Sequence, residues 1–329
     1  MHKKTWIILL SLLLISTTLL TACQAADVNP ENEIISTRLT MGFIPNIQFA
    51  PVYVAIDKGY FRDAGFDVVL EYGNEADAVA LVGAGDQSFA IASGEQILLA
   101  RGQGLPVTYV AAWYQEYPVG VVSFSSEEIQ TPQSLAGETI GIPGLYGASY
   151  IGFIALLDDA NLTEDDLTLL SIGFNQVEAL VTDQVKAAVI YLANEPVVLR
   201  SQGYEVNVIR VADYLELVSN GLVTNEETLN NEPERVSAFI EALLKGIEDT
   251  IANPNEAYEI SKNYVENLEE EDSNLQREIL AESIKLWESE QLGYSEPAGW
   301  INMQQVLLNM GLLDVSLDLD KAFTNDLLP

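Results

Sequence analysis

Val107-Thr108-Tyr109-Val110-Ala111-Ala112-Trp113 and Val119-Gly120-Val121-Val122-Ser123-Phe124 are two strand-like runs separated only by Tyr114-Gln115-Glu116-Tyr117-Pro118. Around them, apolar runs of strand length mostly alternate with helix-like stretches. Strand signals cover 37–43, 67–72, 88–92, 138–142, 167–172, 187–192 and 207–211. Helix signals cover 50–64, 76–82, 95–101, 149–161, 176–183 and 195–202. Gly65, Gly104-Leu105-Pro106, Gly137 and Gly203 punctuate the joints. Alternation of this kind predicts mostly parallel sheets with helices on both faces. Two strands in direct succession then read as the chain leaving one α/β lobe for another, with a return crossing near 208–220. The expected division is lobe one over 35–117 and 215–329, and lobe two over 118–214. A cleft is expected at the crossings, because in open α/β sheets ligands bind beyond the carboxyl ends of the strands.

After Asn220 the pattern becomes helical. Glu232-Pro233-Glu234 opens a helix with proline near its first turn and acids at its positive end. Ala238, Ile240, Leu243, Leu244, Ile247 and Ile251 give it an apolar stripe, and Asn253-Pro254 stops it. Further helices are expected over 257–267, 275–291 and 300–310. The acidic run Glu269-Glu270-Glu271-Asp272 reads as a solvated loop between helices rather than a cation site. There are no internal repeats.

The N-terminus has a different character. His2-Lys3-Lys4 precedes an almost wholly apolar stretch over 6–20, which Leu20-Thr21-Ala22-Cys23 closes. This is the pattern of a secretory signal peptide, and its end resembles a bacterial lipoprotein lipobox. The resemblance implies cleavage after Ala22 and acylation of Cys23, with 23–34 as a flexible tether. The run is a little short for a full membrane span of roughly 20 residues. About 300 residues remain, enough for one large or two medium domains.

Composition narrows the function further. Forty-nine Asp and Glu face 15 Lys and Arg, a formal charge of −34. Such acidity repels nucleic acid and anionic lipid headgroups. Cys23 is the sole cysteine and His2 the sole histidine. With one lipidated and the other in the signal segment, nothing is left for a disulfide, a thiol nucleophile, a histidine base or a Cys/His metal site. A binder without cofactor or metal is expected rather than an enzyme.

Several motifs carry a family resemblance. Gly42-Phe43-Ile44-Pro45-Asn46 is followed by Ala50-Pro51-Val52-Tyr53-Val54-Ala55 and Lys58-Gly59-Tyr60-Phe61. Later come Gly83-Ala84-Gly85-Asp86, Phe89-Ala90-Ile91-Ala92-Ser93-Gly94 and Gly137-Glu138-Thr139-Ile140-Gly141. The series resembles the substrate-binding proteins of ABC importers, in the superfamily of alkanesulfonate-, nitrate- and thiamine-pyrimidine-precursor binders. In detail it is most similar to the riboflavin-binding lipoproteins. The resemblance implies a two-lobed periplasmic-binding-protein type II fold: two doubly wound, mostly parallel sheets, a cleft between them and a helical C-terminal part. It also implies a monomer, anchored by Cys23 on the extracytoplasmic face of the membrane, that delivers its cargo to a permease with a cytoplasmic ATPase. The ligand implied first is riboflavin, and second a hydroxymethyl- or formylaminopyrimidine. The related thiamine-pyrimidine synthases carry a cysteine-rich motif and an essential histidine, both lacking here.

Each candidate ligand contact follows a strand. Asn46, Gln48 and Phe49 follow the first; the two amides suit an imide or pyrimidine edge. Ser93, Glu95 and Gln96 follow the third, with Ser93 a candidate helix cap. Trp113, Tyr114 and Tyr117 lie at the crossing and offer faces to a flat ring. Gly144, Tyr146, Gly147, Ser149 and Tyr150 form a glycine-containing loop at a helix start. It lacks the Lys-Ser/Thr ending of a P-loop and any neighbouring arginine, so it suits a neutral polar group. Tyr191, Asn194 and Glu195 follow another strand, and Asn220 lies near the return crossing. A sulfonate, nitrate or bicarbonate ligand would want cationic surroundings; only Arg38 or Arg101 turned into the cleft would provide them.

Overall fold

A computed structural model describes residues 34–329. The signal segment, Cys23 and the tether residues 23–33 lie outside the described residues. The polypeptide builds two five-stranded mixed sheets. The first uses β1 (Ile35–Met41), β2 (Phe66–Tyr72), β3 (Phe89–Ser93), β4 (Val107–Ala112) and β10 (Asn220–Asn225), in the order β2-β1-β3-β10-β4. The second uses β5 (Val119–Phe124), β6 (Thr139–Ile142), β7 (Thr168–Ser171), β8 (Ala187–Tyr191) and β9 (Val206–Arg210), in the order β7-β6-β8-β5-β9. Within each sheet one strand runs against the others: β10 between β3 and β4, and β5 between β8 and β9. Each is the first strand the chain makes on arriving in that sheet. The links between the sheets are residues 113–118 and 211–219.

The sequence pattern does not predict strand β10. Its six residues are all buried, yet only Leu222 and Val223 are large and apolar, and Asn220 and Asn225 close its ends. Asn225 accepts from Thr228 N at 2.8 Å and caps the next helix, so a turn signal sits inside the strand.

The helices are α1 (Ala50–Asp57), α2 (Tyr60–Asp63), α3 (Glu75–Ala84), α4 (Gly94–Gly102), α5 (Gly147–Asp159), α6 (Gln176–Val181), α7 (Glu195–Ser201), α8 (Glu226–Asn231), α9 (Pro233–Ala252), α10 (Pro254–Ser261), α11 (Ser273–Trp287), α12 (Pro297–Asn309) and α13 (Leu319–Ala322). The single helix expected over 50–64 is broken at Gly59, whose φ of +78° is left-handed. The acidic run 269–272 is an exposed turn, and Asp272 caps α11 by accepting from Asn274 N at 2.9 Å.

Apolar clusters cover the faces of both sheets. One packs β1, β3 and β10 against α1, α9 and α11; in it Phe89 stacks on Phe239, with centroids 4.0 Å apart. Another joins α3, α4, α5 and α12 to both sheets, and a third places α6 and α7 on the second sheet. Helix α11 also supports the first crossing. Trp287 is fully buried against Trp113, with ring centroids 5.8 Å apart, and Gln115 N donates to Leu286 O at 2.8 Å.

Helices α1 and α9 touch backbone to backbone at Gly246. A Cβ there would overlap the Pro51 carbonyl and stand 2.8 Å from Ala55 Cβ. Glycine to alanine inside a helix ordinarily stabilises by up to about 1 kcal/mol. At this position overpacking reverses the sign: Gly246→Ala should lose about 2 kcal/mol in chemical denaturation, and an unchanged or raised midpoint would refute the contact.

Candidate ligand-binding site

Strands β1, β2, β6, β7 and β8 all deliver their following loops to one cavity of about 900 Å³. Helix α4, the first crossing and the start of β10 complete its walls. Of the eighteen candidate contacts, fifteen line it: Asn46, Gln48, Phe49, Gln96, Trp113, Tyr114, Gly144, Tyr146, Gly147, Ser149, Tyr150, Tyr191, Asn194, Glu195 and Asn220.

Aromatic rings dominate both walls. On the first-sheet side Phe49 lies 6.3 Å from Tyr72 and 6.4 Å from Trp113, centroid to centroid. Tyr114 stacks on Trp287 at 6.4 Å and 8°. The second-sheet side supplies Tyr146, Tyr150, Phe174 and Tyr191. At the rim, Phe43 and Phe174 meet edge to face at 5.1 Å, one from the loop after β1 and one from the loop after β7. Trp113 and Tyr114 are buried, whereas Ile44, Leu145, Tyr146 and Phe174 are more than half exposed.

Some candidate polar groups are already engaged. Asn46 Oδ1 accepts from Gln48 N at 2.9 Å and caps the turn Ile47–Phe49. Tyr114 Oη donates to Gln48 Oε1 at 3.3 Å, and Tyr150 Oη donates to Glu164 Oε2 at 3.1 Å. Glu195 Oε2 accepts from Tyr191 N at 3.1 Å, and Asn194 Nδ2 donates to Glu195 Oε1 at 3.4 Å. Burial pushes the Glu195 carboxyl up to about 7.

Ser93, Glu95 and Tyr117 do not line the cavity, for three physical reasons. Ser93 is fully buried and makes no side-chain cap on α4. Its hydroxyl instead bridges Glu75 Oε2 and Glu95 Oε1, the latter at 2.5 Å. Glu95 is fully buried beneath it. Tyr117 lies on the side-chain-free face of Gly152, and its hydroxyl donates to Ala148 O at 2.7 Å. Tyr117 therefore supports α5 from behind.

Glu75, the first residue of α3, is part of the cavity wall although no sequence signal marks it as such. Its Oε1 accepts from Asn220 Nδ2 at 2.9 Å and its Oε2 from Ser93 N at 3.0 Å. Gly42, lacking a Cβ, leaves room for it. A first-turn acid after Asn74 looks like an ordinary helix start, and only the fold reveals its partners. Gly73, Asn74 and Gln176 also line the wall, at loop positions whose glycine and asparagine signals resemble those at Asn194. The apolar wall residues Val79, Leu99, Leu105 and Leu312 carried no such signal.

The Ser93 bridge dictates a protonation state. One hydroxyl proton serves one carboxyl; the second contact requires a protonated carboxyl that donates to Oγ. Burial raises Glu75 above the ordinary range, and burial together with Glu75 pushes Glu95 up to about 7. Both groups therefore bind protons in the folded chain at pH values where an unfolded glutamate, near 4.5, has released them. The sign follows: their stabilisation is fully present below about 4.5 and is lost as pH rises through their raised values, about 7 for Glu95. The melting temperature should be higher at pH 5 than at pH 8. Glu95→Gln should reduce that slope, with Glu195 keeping part of it, whereas relaxation of the general negative charge alone would leave it intact.

Among the described residues, no group of three or more His, Cys, Asp or Glu is arranged to hold a metal ion. Sequence comparison matches residues 46–257 to the family described as NMT1/THI5 like. The chain is 39% identical to the riboflavin-binding protein RibY of Chloroflexus aurantiacus, over 94% of this chain and 90% of that one. It is 27% identical to a formylaminopyrimidine-binding protein of Halalkalibacterium halodurans, over 83% of each. It is 23% identical to a 4-amino-5-hydroxymethyl-2-methylpyrimidine phosphate synthase of Legionella pneumophila, over 88% of this chain and 92% of that one. The fold matches the periplasmic aliphatic sulphonate binding protein SsuA of Escherichia coli, with a TM-score of 0.72 at 11% identity over 88% of this chain and 92% of that one. With the matching segment covering more than half its length, the chain belongs to the NMT1/THI5-like family.

Proposed function

We propose that this protein is the substrate-binding component of an ABC importer and that it captures a flat nitrogen heterocycle, riboflavin first. The single observation that carries this reading is the cavity: about 900 Å³, walled by aromatic rings from both sheets and edged by Asn46, Gln48, Gln96, Asn194 and Asn220. Aromatic faces suit a planar ring and amides suit its carbonyl and N–H edge. A tricyclic ring with a polyol chain fills such a volume better than a single pyrimidine does. The similarity to a protein named riboflavin-binding supports the same choice. The pyrimidine-precursor reading has the formylaminopyrimidine-binding relative in its favour. A synthase is the less supported reading: the family includes proteins so named, but the only histidine of this chain is His2, and Cys23 is its only thiol.

In this reading Cys23 carries the lipid that holds the protein on the extracytoplasmic face, and a permease with its cytoplasmic ATPase receives the cargo. Residues 35–117 with 215–329 and residues 118–214 act as two lobes that close on the ligand, which must bind the closed form better than the open one. The Phe43–Phe174 contact at the rim is the kind of link that closure would tighten.

Titration of the purified protein with riboflavin should quench flavin emission saturably at micromolar protein. Absence of quenching would reject riboflavin. Phe49→Ala should weaken binding by about three- to tenfold, the range of one aromatic contact. Hydroxymethylpyrimidine should compete poorly; if it displaces riboflavin at equal concentration, the pyrimidine reading takes precedence.

A further inference from the structure

We infer that the cavity accepts only the uncharged form of its ligand and excludes the phosphomonoester of the same ring, so that phosphomonoester hydrolysis must precede capture. The inference rests on the binding-protein reading above and adds a charge rule to it.

The first observation is the wall itself: it contains no Lys, Arg or His among the described residues, and its two ionisable carboxyls are Glu75 and Glu195. Arg38 and Arg101, the cations that might have turned inward, are committed elsewhere. Arg38 Nη2 donates to Asp86 O at 2.7 Å, and Arg101 Nη2 pairs with Glu226 at 2.9 Å.

The second observation concerns the helix starts that contribute to the wall. Such starts are natural anion sites because their free N–H groups and dipole favour negative charge. Here α3 and α4 carry Glu75 and Glu95 in their first turns. The chain supplies its own carboxyls where an anion would be favoured. Two helix starts at the wall have no acid in their first turns: α5, beginning at Gly147, and α1, whose N-cap Phe49 lines the cavity and whose first turn holds Pro51.

The third observation is the proton shared through Ser93. The groups facing that cluster are Glu75 on α3, Glu95 on α4, Asn220 on β10, Tyr117 on the crossing and Tyr191 at the end of β8; Glu195 lies on the same cavity wall. None is a cation. Glu95 Oε2 and Asn220 Oδ1 have no hydrogen-bond partner among the described residues. A buried carboxylate oxygen without a partner is tolerable only when the group is neutral. A dianionic phosphate in the cavity would meet no compensating charge and would oppose any ionisation of this cluster.

The test is a set of paired titrations at pH 6, 7.5 and 9: riboflavin against flavin mononucleotide, and hydroxymethylpyrimidine against its monophosphate. In parallel, the melting temperature is followed with added inorganic phosphate at constant ionic strength. The expected result is that the phosphorylated member of the binding pair is weaker by a hundredfold or more, with no stabilisation by phosphate. At pH 9, above the raised Glu195 value of about 7, Glu75→Gln combined with Glu195→Gln should narrow that gap by tenfold or more. Phosphorylated and free forms binding within tenfold of each other, or specific stabilisation by phosphate through α5, would overturn the inference. If riboflavin fails at every pH, the vitamin assignment falls, while the pyrimidine pair and the phosphate arm still decide the charge rule.

Discussion

The carbonyl oxygen of Asn220 accepts hydrogen bonds from Trp113 N at 2.9 Å, Tyr109 Oη at 3.0 Å and Tyr114 N at 3.3 Å. Most other features of the site rest on this junction. It joins the first residue after β4 to the first residue of β10, and so ties the outgoing crossing to the returning one. The neighbouring Ser219 reinforces it, its Oγ donating to Tyr114 O at 2.6 Å and its carbonyl oxygen accepting from Gly94 N at 3.1 Å. The side chain of the same Asn220 holds Glu75. Gly221 follows because Tyr109 occupies the space a Cβ would need. One residue, through its carbonyl and its side chain, thus ties together β4, the crossing, β10 and Glu75 at the floor of the cavity.

The C-terminal helices complete that junction from outside. Trp287 closes the back of Trp113, and Trp300 stands 5.1 Å from Tyr109 while its Nε1 donates to Ser295 Oγ at 2.8 Å. The helical third of the chain is therefore the support that keeps the crossing aromatics in fixed orientations. Fixed orientations reduce the ordering a bound ring would otherwise impose on them.

How far the site was legible follows from the range of each signal. The alternation of strands and helices and the helix-free passage at 113–118 are local patterns, and they indicated two sheets with loops gathered at one edge. The loops after β1, β6 and β8 were found because glycine, asparagine and aromatic residues cluster there. Strand β10 was missed because its identity as a strand depends on β3 and β4, more than 100 residues earlier in the chain. Ser93 and Glu95 were placed on the cavity wall, although they lie under it, because a serine before a first-turn glutamate reads as a cap and an anchor. Only the arrival of Glu75 and Asn220 turns them inward. Tyr117 misled for a similar reason: aromatic character is visible in sequence, but the bare face of Gly152 that receives it is not.

The order in which strands enter the sheets has a kinetic consequence. The gap between β3 and β4 is filled by a segment synthesised only after the entire second sheet. Until then β3 and β4 have no partner on their facing edges, and the first sheet is incomplete. A topology with such distant pairings folds slowly, because loop closure precedes the contacts that compensate it. The first sheet thus stays open until the chain has been made through Asn225, about two-thirds of its 329 residues.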